Sequence, residues 1–434
     1  MKKVLLLSAV ASAMLMAGGD IVPAPVEEAA PAPAEFMIFN NIYAKGEIRP
    51  RYEYANNYQN GVPNADAYTN RLKLGIGADL MQIDGLSVYL EGINVAGGGD
   101  YNGLSWDDAA PYDVVADPDQ TRITQAYIDY KFGDTLIRAG RQGVNLDNQR
   151  FVGTVNWRQM PQTYDAVAVI NNSIENLDLL GAYIWQVNTI FQDGANKRSR
   201  FDTGSVILHA AYHFMPELTL TGYGYLLENI HDTYGIAATG KIGTDFGKIN
   251  YRAEYATQTD PSMTDNDPSK LFGNANASAD ADYYNIQATL NTNGFLLGAQ
   301  YEVLSGTNGT DGKTAFTTPL ATLHAHNGWA DVFLGTPSTG LIDLNGMIGY
   351  NAGEYGLFKA IYHDFSSDVG STDYGTEWDL LYKNKVPGVK NLSFLAKAAW
   401  YDAEADLPSG SNPKVWENDA TKFWVMFDYT FSSK

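Results

Sequence analysis

The sequence predicts an all-β protein: a transmembrane, antiparallel, up-and-down β-barrel of about eighteen strands, with long extracellular loops and short periplasmic turns. Three observations predict it. Apolar and polar residues alternate with period two from near residue 40 to the C-terminus. The connections between these segments are short and long by turns. After an N-terminal leader, no apolar run is long enough for a membrane helix.

The leader is Lys2-Lys3 followed by apolar residues from Val4 to Ala17, with small Ala17, Gly18 and Gly19 before Asp20. That pattern is a signal peptide over residues 1–19. A lipoprotein would place cysteine about where Gly19 stands, and the chain has no cysteine at all. Lipid anchoring and disulfide bracing are therefore both excluded. "DIVPAPVEEAAPAPAE" cannot form a core, so residues 20–39 read as a periplasmic Pro/Ala linker. Residues 40–434 are assigned to the barrel.

Strands are expected to begin near Ile42, Tyr68, Gly85, Thr121, Thr135, Thr163, Leu177, Asp202 and Glu217. The series continues near Tyr234, Gly247, Ala281, Gly294, Gly340, Glu354, Asp373, Asn391 and Ala420. In the second, Leu72, Leu74 and Ile76 alternate with Arg71, Lys73 and Gly75. In the last, Phe423, Val425, Phe427, Tyr429 and Phe431 alternate with Lys422, Trp424, Met426, Asp428 and Thr430. Each such segment has one apolar and one polar face. Tight connections such as Gln82–Gly85, Phe132–Asp134 and Thr292–Gly294 follow even-numbered segments. Long polar ones, as in Gly97–Gln120, Thr259–Asp280, Gly306–Thr339 and Asp402–Asp419, follow most odd-numbered segments. A soluble sandwich alternates too. The leader, the asymmetry of connections, and aromatics near strand ends (Tyr52, Tyr54, Trp400, Tyr401) favour the outer membrane.

Charge is uneven along the chain. The formal net charge is −21, yet Arg138 to Asp165 holds Arg138, Arg141, Arg150 and Arg158 against only Asp147 and Asp165. Residues 143–162 join two strands on the long-loop side and include Leu146, Phe151, Val152, Val155 and Trp157. Such a loop is too apolar to stay solvated and is expected to fold into the barrel mouth. Gln149, Phe151, Trp157 and Gln159 would then stand at a constriction. Arginines there would concentrate anions and suit carboxylates or phosphates. In the competing reading, Arg150 and Arg158 pair with Asp147, Asp165 and loop carbonyls and only pin the fold.

"RAGRQGVNLDNQRFVGTVNWRQMPQTYDAVAV" (Arg138–Val169) resembles the signature segment of the alginate-export family of outer-membrane barrels. "GEIRPRYEY" (Gly46–Tyr54) and "NRLKLGIGADL" (Asn70–Leu80) resemble that family's first two strands. The resemblance implies a barrel of about eighteen strands. It also implies either a general porin or an exporter of an anionic polysaccharide through a basic lumen. The anion path it implies runs past Arg49, Arg51, Arg71, Arg138, Arg141, Arg150 and Arg158, with Lys73 on the same polar face. Glu47, Glu53, Asp79, Glu254, Glu377 and Asp379 also stand on polar faces, so the lining is mixed. A diffusion channel for small hydrophilic, anionic solutes is the reading adopted, with dedicated polyuronate export as its alternative.

Catalysis finds little support. No Gly-x-Ser-x-Gly elbow, P-loop or His-Glu-x-x-His occurs. His209 and His213 lie about 13 Å apart on a strand, too far to share a metal. His324-x-His326, in the longest loop, is expected to be solvated, as are Asp100, Asp107, Asp108, Asp113, Asp117 and Asp119 in theirs. Those carboxylates would otherwise hold divalent cations against lipopolysaccharide. No cofactor, metal or nucleic acid is expected. The expected partners are outer-membrane lipid and lipopolysaccharide, the barrel-assembly machinery, and small anionic or polyuronate solutes. A homo-oligomer is compatible. An outer-membrane hydrolase and an adhesin-like surface protein are the readings from other classes.

Overall fold

The computed structural model describes residues 37–58, 61–104, 111–192, 199–265, 278–309, 312–404 and 415–433. The signal peptide and nearly all of the linker lie outside the described residues, as do Asp107 and Asp108.

The barrel unit spans Ile38–Lys434. Its wall opens with β1 (Phe39–Asn56), β2 (Ala65–Leu80), β3 (Leu86–Asp100), β4 (Gln120–Phe132), β5 (Thr135–Gln142) and β6 (Thr163–Ile174). It continues through β7 (Leu177–Asn188), β8 (Arg200–Met215), β9 (Leu218–Leu227), β10 (His231–Thr244), β11 (Gly247–Thr259) and β12 (Ser278–Thr292). β13 (Phe295–Leu304) is followed by β14 (Lys313–Thr314), two residues that pair in parallel with β12 and take no part in the wall. The wall ends with β15 (Leu341–Asn351), β16 (Leu357–Ser366), β17 (Asp373–Lys385), β18 (Leu392–Ala403) and β19 (Ala420–Ser432).

Every wall strand is antiparallel to its neighbours, β13 pairs directly with β15, and β19 returns to pair with β1. Eighteen strands thus close on themselves with no free edge. Each begins within three residues of its expected start. The short connections fall at one end. One is Asn293-Gly294, both with positive φ (48° and 85°), the geometry of a type I′ hairpin turn.

Alternation gives the wall two different faces. Leu74, Ile76, Ile236, Ile286, Leu344 and Ile348 point outward, each more than half exposed. A continuous apolar band of this kind would aggregate in water and is satisfied in hydrocarbon. Aromatic pairs border the band near the short turns: Tyr130–Phe132 (5.5 Å), Tyr212–Phe214 (4.5 Å) and Phe295–Tyr350 (4.7 Å). Others border it near the long loops: Tyr52–Tyr68 (4.9 Å), Tyr255–Tyr284 (5.2 Å) and Tyr362–Trp378 (5.0 Å). These are the two girdles of a membrane barrel. Tyr401, expected among them, points inward and is buried, because it shares a face with Ala399 and Lys397.

The main cluster of buried apolar side chains lies inside the barrel, where residues 143–162 and 312–340 fold inward from the long-loop end.

Candidate functional site

The two loops make one plug. Phe151, from the first, packs against Tyr223 and Tyr283 of the wall (both 5.3 Å) and Phe316 of the second loop (6.0 Å). The backbones join as well. Gly153 N–H donates to Leu320 O (2.9 Å), and Thr322 N–H donates to Gln149 O (3.0 Å). Val155, a β-branched residue, sits at φ 50°, a strained left-handed conformation. Thr322 Oγ1 accepts its N–H (3.1 Å) and helps hold it there.

Ionic contacts fasten this plug to the wall. Arg150 pairs with Glu302 of β13 (3.0 Å) and donates to Asn327 Oδ1 (2.9 Å). Arg158 meets both oxygens of Glu53 on β1 (3.0 Å each) and Asp331 of the second loop (3.1 Å). Asp331 in turn binds Lys422 of β19 (3.3 Å). Burial holds the His324 imidazole down to about 3, so it is neutral at ordinary pH. Its Nδ1–H donates to Asp331 (2.7 Å), and its Nε2 accepts from Lys397 (2.8 Å).

Arg49, Arg51, Arg71 and Lys73 all face the lumen from β1 and β2. Arg49 and Arg71 lie directly opposite one another, a repulsive placement relieved by Glu47, which both bind. Glu47 contacts Arg49 (3.0 Å), Arg71 and Lys73 (2.7 Å), and Asp428 takes Arg49 (2.8 Å). Their guanidinium groups also grip the first loop. Arg49 donates to Asn156 O (2.9 Å), Arg51 to Trp157 O (2.7 Å) and Arg71 to Gln159 O (3.2 Å).

Gln149, Phe151, Trp157 and Gln159 are part of the plug's packing. Gln159 is fully buried and bonds Thr69 (3.0 Å), while Trp157 stacks on His324 at 4.5 Å. Arg138 faces the lumen, paired twice with Asp129 (2.7 Å) and lying over Tyr127 (3.9 Å).

Arg141 departs from expectation. Its register partner is Asp165, on the strand face that also carries the exposed Val167 and Val169. Arg141 therefore points outward, bound to Asp165 (2.7 Å), and does not line the lumen. The partners expected for Arg150 and Arg158 also differ. Asp165 belongs to Arg141, and Asp147 bonds His209 (3.1 Å). The acidic loop is not simply solvated either. Asp117 is buried, ion-paired with Arg51, and accepts the Gln159 N–H (2.7 Å).

Sequence reasoning missed the second loop, including His324, which is buried rather than solvated. A signal was present. "NGWADVF" (Asn327–Phe333) is as apolar for a loop as the segment that was recognised. Its backbone is held by wall carboxylates, with Trp329 N–H donating to Asp379 (3.2 Å) and Ala330 N–H to Glu377 (2.7 Å). Lys397 of β18 is the other missed anchor. Its ammonium lies 3.6 Å from the ring of Trp329, 4.4 Å from Trp157 and 5.3 Å from Trp424, joining both loops to the wall by cation–π contacts.

Gly328 has φ 82°, and a Cβ there would overlap the Glu377 carboxylate. Gly328→Ala should cost the plug about 1–2 kcal/mol from the left-handed backbone alone. Hydrogen exchange at Trp329 and Ala330 should accelerate while the wall strands stay protected. Unchanged exchange would show that the carboxylates do not hold this segment.

A family model described as alginate export matches residues 46–315. No curated protein matches in sequence. Among solved structures the chain resembles Pseudomonas aeruginosa OccK5 (OpdH), with TM-score 0.66 and 12% identity, over 91% of this chain and 98% of that one. It similarly resembles Pseudomonas aeruginosa OccK8 (OprE), with TM-score 0.66 and 13% identity, over 91% and 99%. For Pseudomonas aeruginosa OpdQ the TM-score is 0.65 at 14% identity, over 91% and 100%. At such identities the likeness is one of fold.

Proposed function

The chain belongs to the alginate export family, and from that premise we propose that it is an outer-membrane channel for the diffusion of small hydrophilic solutes, anions above all. One observation carries the reading: an eighteen-strand barrel with an apolar outer band and a polar lumen, narrowed by loops from one end only. A wall of this size leaves an aqueous passage unless something enters it. The short turns would face the periplasm, the long loops the exterior, with lipid and lipopolysaccharide around the girdles. The leader supplies the export signal, and insertion would use the barrel-assembly machinery.

The anion preference rests on the β1–β2 side. Arg49, Arg71 and Lys73 share Glu47 and Asp428, and Lys45 projects into the lumen over the Tyr89 ring (4.5 Å). Cations there outnumber their acids, which raises the local concentration of anions. The family match also suits dedicated polyuronate export. Against a basic conduit for such a polymer, Arg150 and Arg158 of the plug are bound to the wall carboxylates Glu302 and Glu53.

In planar bilayers the protein should form ion-conducting channels whose reversal potential under a KCl gradient reports preference for chloride. The preference should fall in high salt, as the Debye length shortens from about 10 Å at 0.1 M to about 3 Å at 1 M. A correctly folded barrel that conducts nothing would sink the reading.

A further inference from the structure

Glu377 and Asp379 stand two residues apart on β17, so both project inward, and neither is exposed at all. Their loop contacts fall on consecutive peptide groups. Glu377 Oε1 accepts the Ala330 N–H (2.7 Å), and Asp379 Oδ2 accepts the Trp329 N–H (3.2 Å). Two donors so close together draw the acids side by side, within hydrogen-bonding reach of each other. Each acid keeps one oxygen without a donor, Oε2 of Glu377 and Oδ1 of Asp379. Gly328 lies so near the first of these that a Cβ would overlap it. Buried polar atoms are ordinarily satisfied, so two orphan acceptors at one point mark a missing donor.

The charged and titratable groups around the pair are engaged elsewhere. From β16, His363 bonds Asp343 of β15 through Nδ1 (2.9 Å), and its Nε2 stays 3.6 Å from Asp379 Oδ2. Lys359, on the same strand, lies 5.4 Å from the centre of the Trp329 ring. From β18, Lys397 donates to His324 of the loop (2.8 Å), and the Tyr401 hydroxyl donates to Trp416 O (3.0 Å). Asp331 of the loop takes His324 (2.7 Å) and Lys422 of β19 (3.3 Å). None of them donates to either orphan oxygen. Two ionised carboxylates in contact away from water repel strongly, so such a pair keeps one proton between them. We propose that Glu377 and Asp379 share a single proton, and that this proton is a pH-sensitive latch on the second loop. When the pH rises, hydroxide takes the proton as water. The two negative oxygens then part, Ala330 or Trp329 loses its acceptor, and the plug of the channel proposed above loosens on its second-loop side.

Hydrogen exchange on the full folded barrel in detergent, at pH 6 and at pH 9, tests the latch. Measured against the intrinsic rate at each pH, protection of the Trp329 and Ala330 amides should fall at least tenfold at pH 9. Glu377→Gln keeps an oxygen for Ala330 and offers Asp379 a hydrogen that does not titrate, so protection should then be equal at the two pH values. Heat-modifiable gel mobility checks folding, and Asp379→Asn, which supplies the hydrogen from the other side, serves if Glu377→Gln does not fold. Native protection that ignores pH, or a fall that persists in the folded amide variant, overturns the proposal. Bilayer conductance at the same two pH values separates this reading from the channel itself. Amides that respond in a barrel that conducts nothing remove only the channel, whereas conduction with unresponsive amides removes only the latch.

Discussion

Replacing Arg150 and Arg158 together by glutamine is expected to raise single-channel conductance severalfold and make it noisy. Both guanidinium groups are buried and bound to Glu302, Glu53 and Asp331. Removing one partner of a buried ion pair costs about 3–5 kcal/mol, because the other charge stays behind. Both loops should loosen, since Asp331 belongs to the second while the arginines belong to the first. Three uncovered carboxylates should also shift selectivity toward cations. Arg150→Gln with Glu302→Gln leaves no stranded charge and should recover much of the quiet behaviour, a coupling that a double-mutant cycle measures. Steady conductance with only a moved reversal potential would mean that the arginines stand free in the ion path.

Phe427→Arg should destabilise the barrel by about 2–4 kcal/mol, the cost of a basic side chain near the middle of the lipid face. Phe427 points outward beside Phe394 (5.0 Å). Its neighbour Met426 points inward and is buried. Met426→Gln, one residue along the same strand, should therefore cost much less. Folding into lipid vesicles followed by urea unfolding gives both values. Similar losses at the two positions would contradict the assignment of faces.

The wall was legible in the sequence because period two is a local signal. Leu72, Leu74 and Ile76 announce their face within five residues, and Asn293-Gly294 announces its turn in two. The plug was half legible. The apolar residues of 143–162 marked a loop that had to fold inward, but not where its arginines would end. Their acids are remote in sequence, Glu302 from Arg150 and Glu53 from Arg158, and only barrel closure brings them near. Arg141 failed for a different reason. Arg138 and Arg141 are three apart in an unbroken ladder with β6, so period two puts them on opposite faces, and placing both on one path overlooked that parity. The second loop was overlooked because its length and polar ends masked the apolar stretch from Trp329 to Phe333.

The seam between β1 and β19 has a consequence for assembly. Arg158 is held by Glu53 of the first strand, while Asp331 is held by Lys422 of the last. These two halves of the fastening become neighbours only when the sheet zips shut, with Glu53 opposite Trp424. The contact joins opposite ends of the chain, which places it among the slowest to form. A barrel caught before closure would lack this corner of the fastening, although Arg150–Glu302 and the contacts of Asp379 and Glu377 do not involve the seam. The Arg158 corner of the plug is thus seated only as the wall is completed, so a newly inserted barrel reaches its full restriction when it becomes whole.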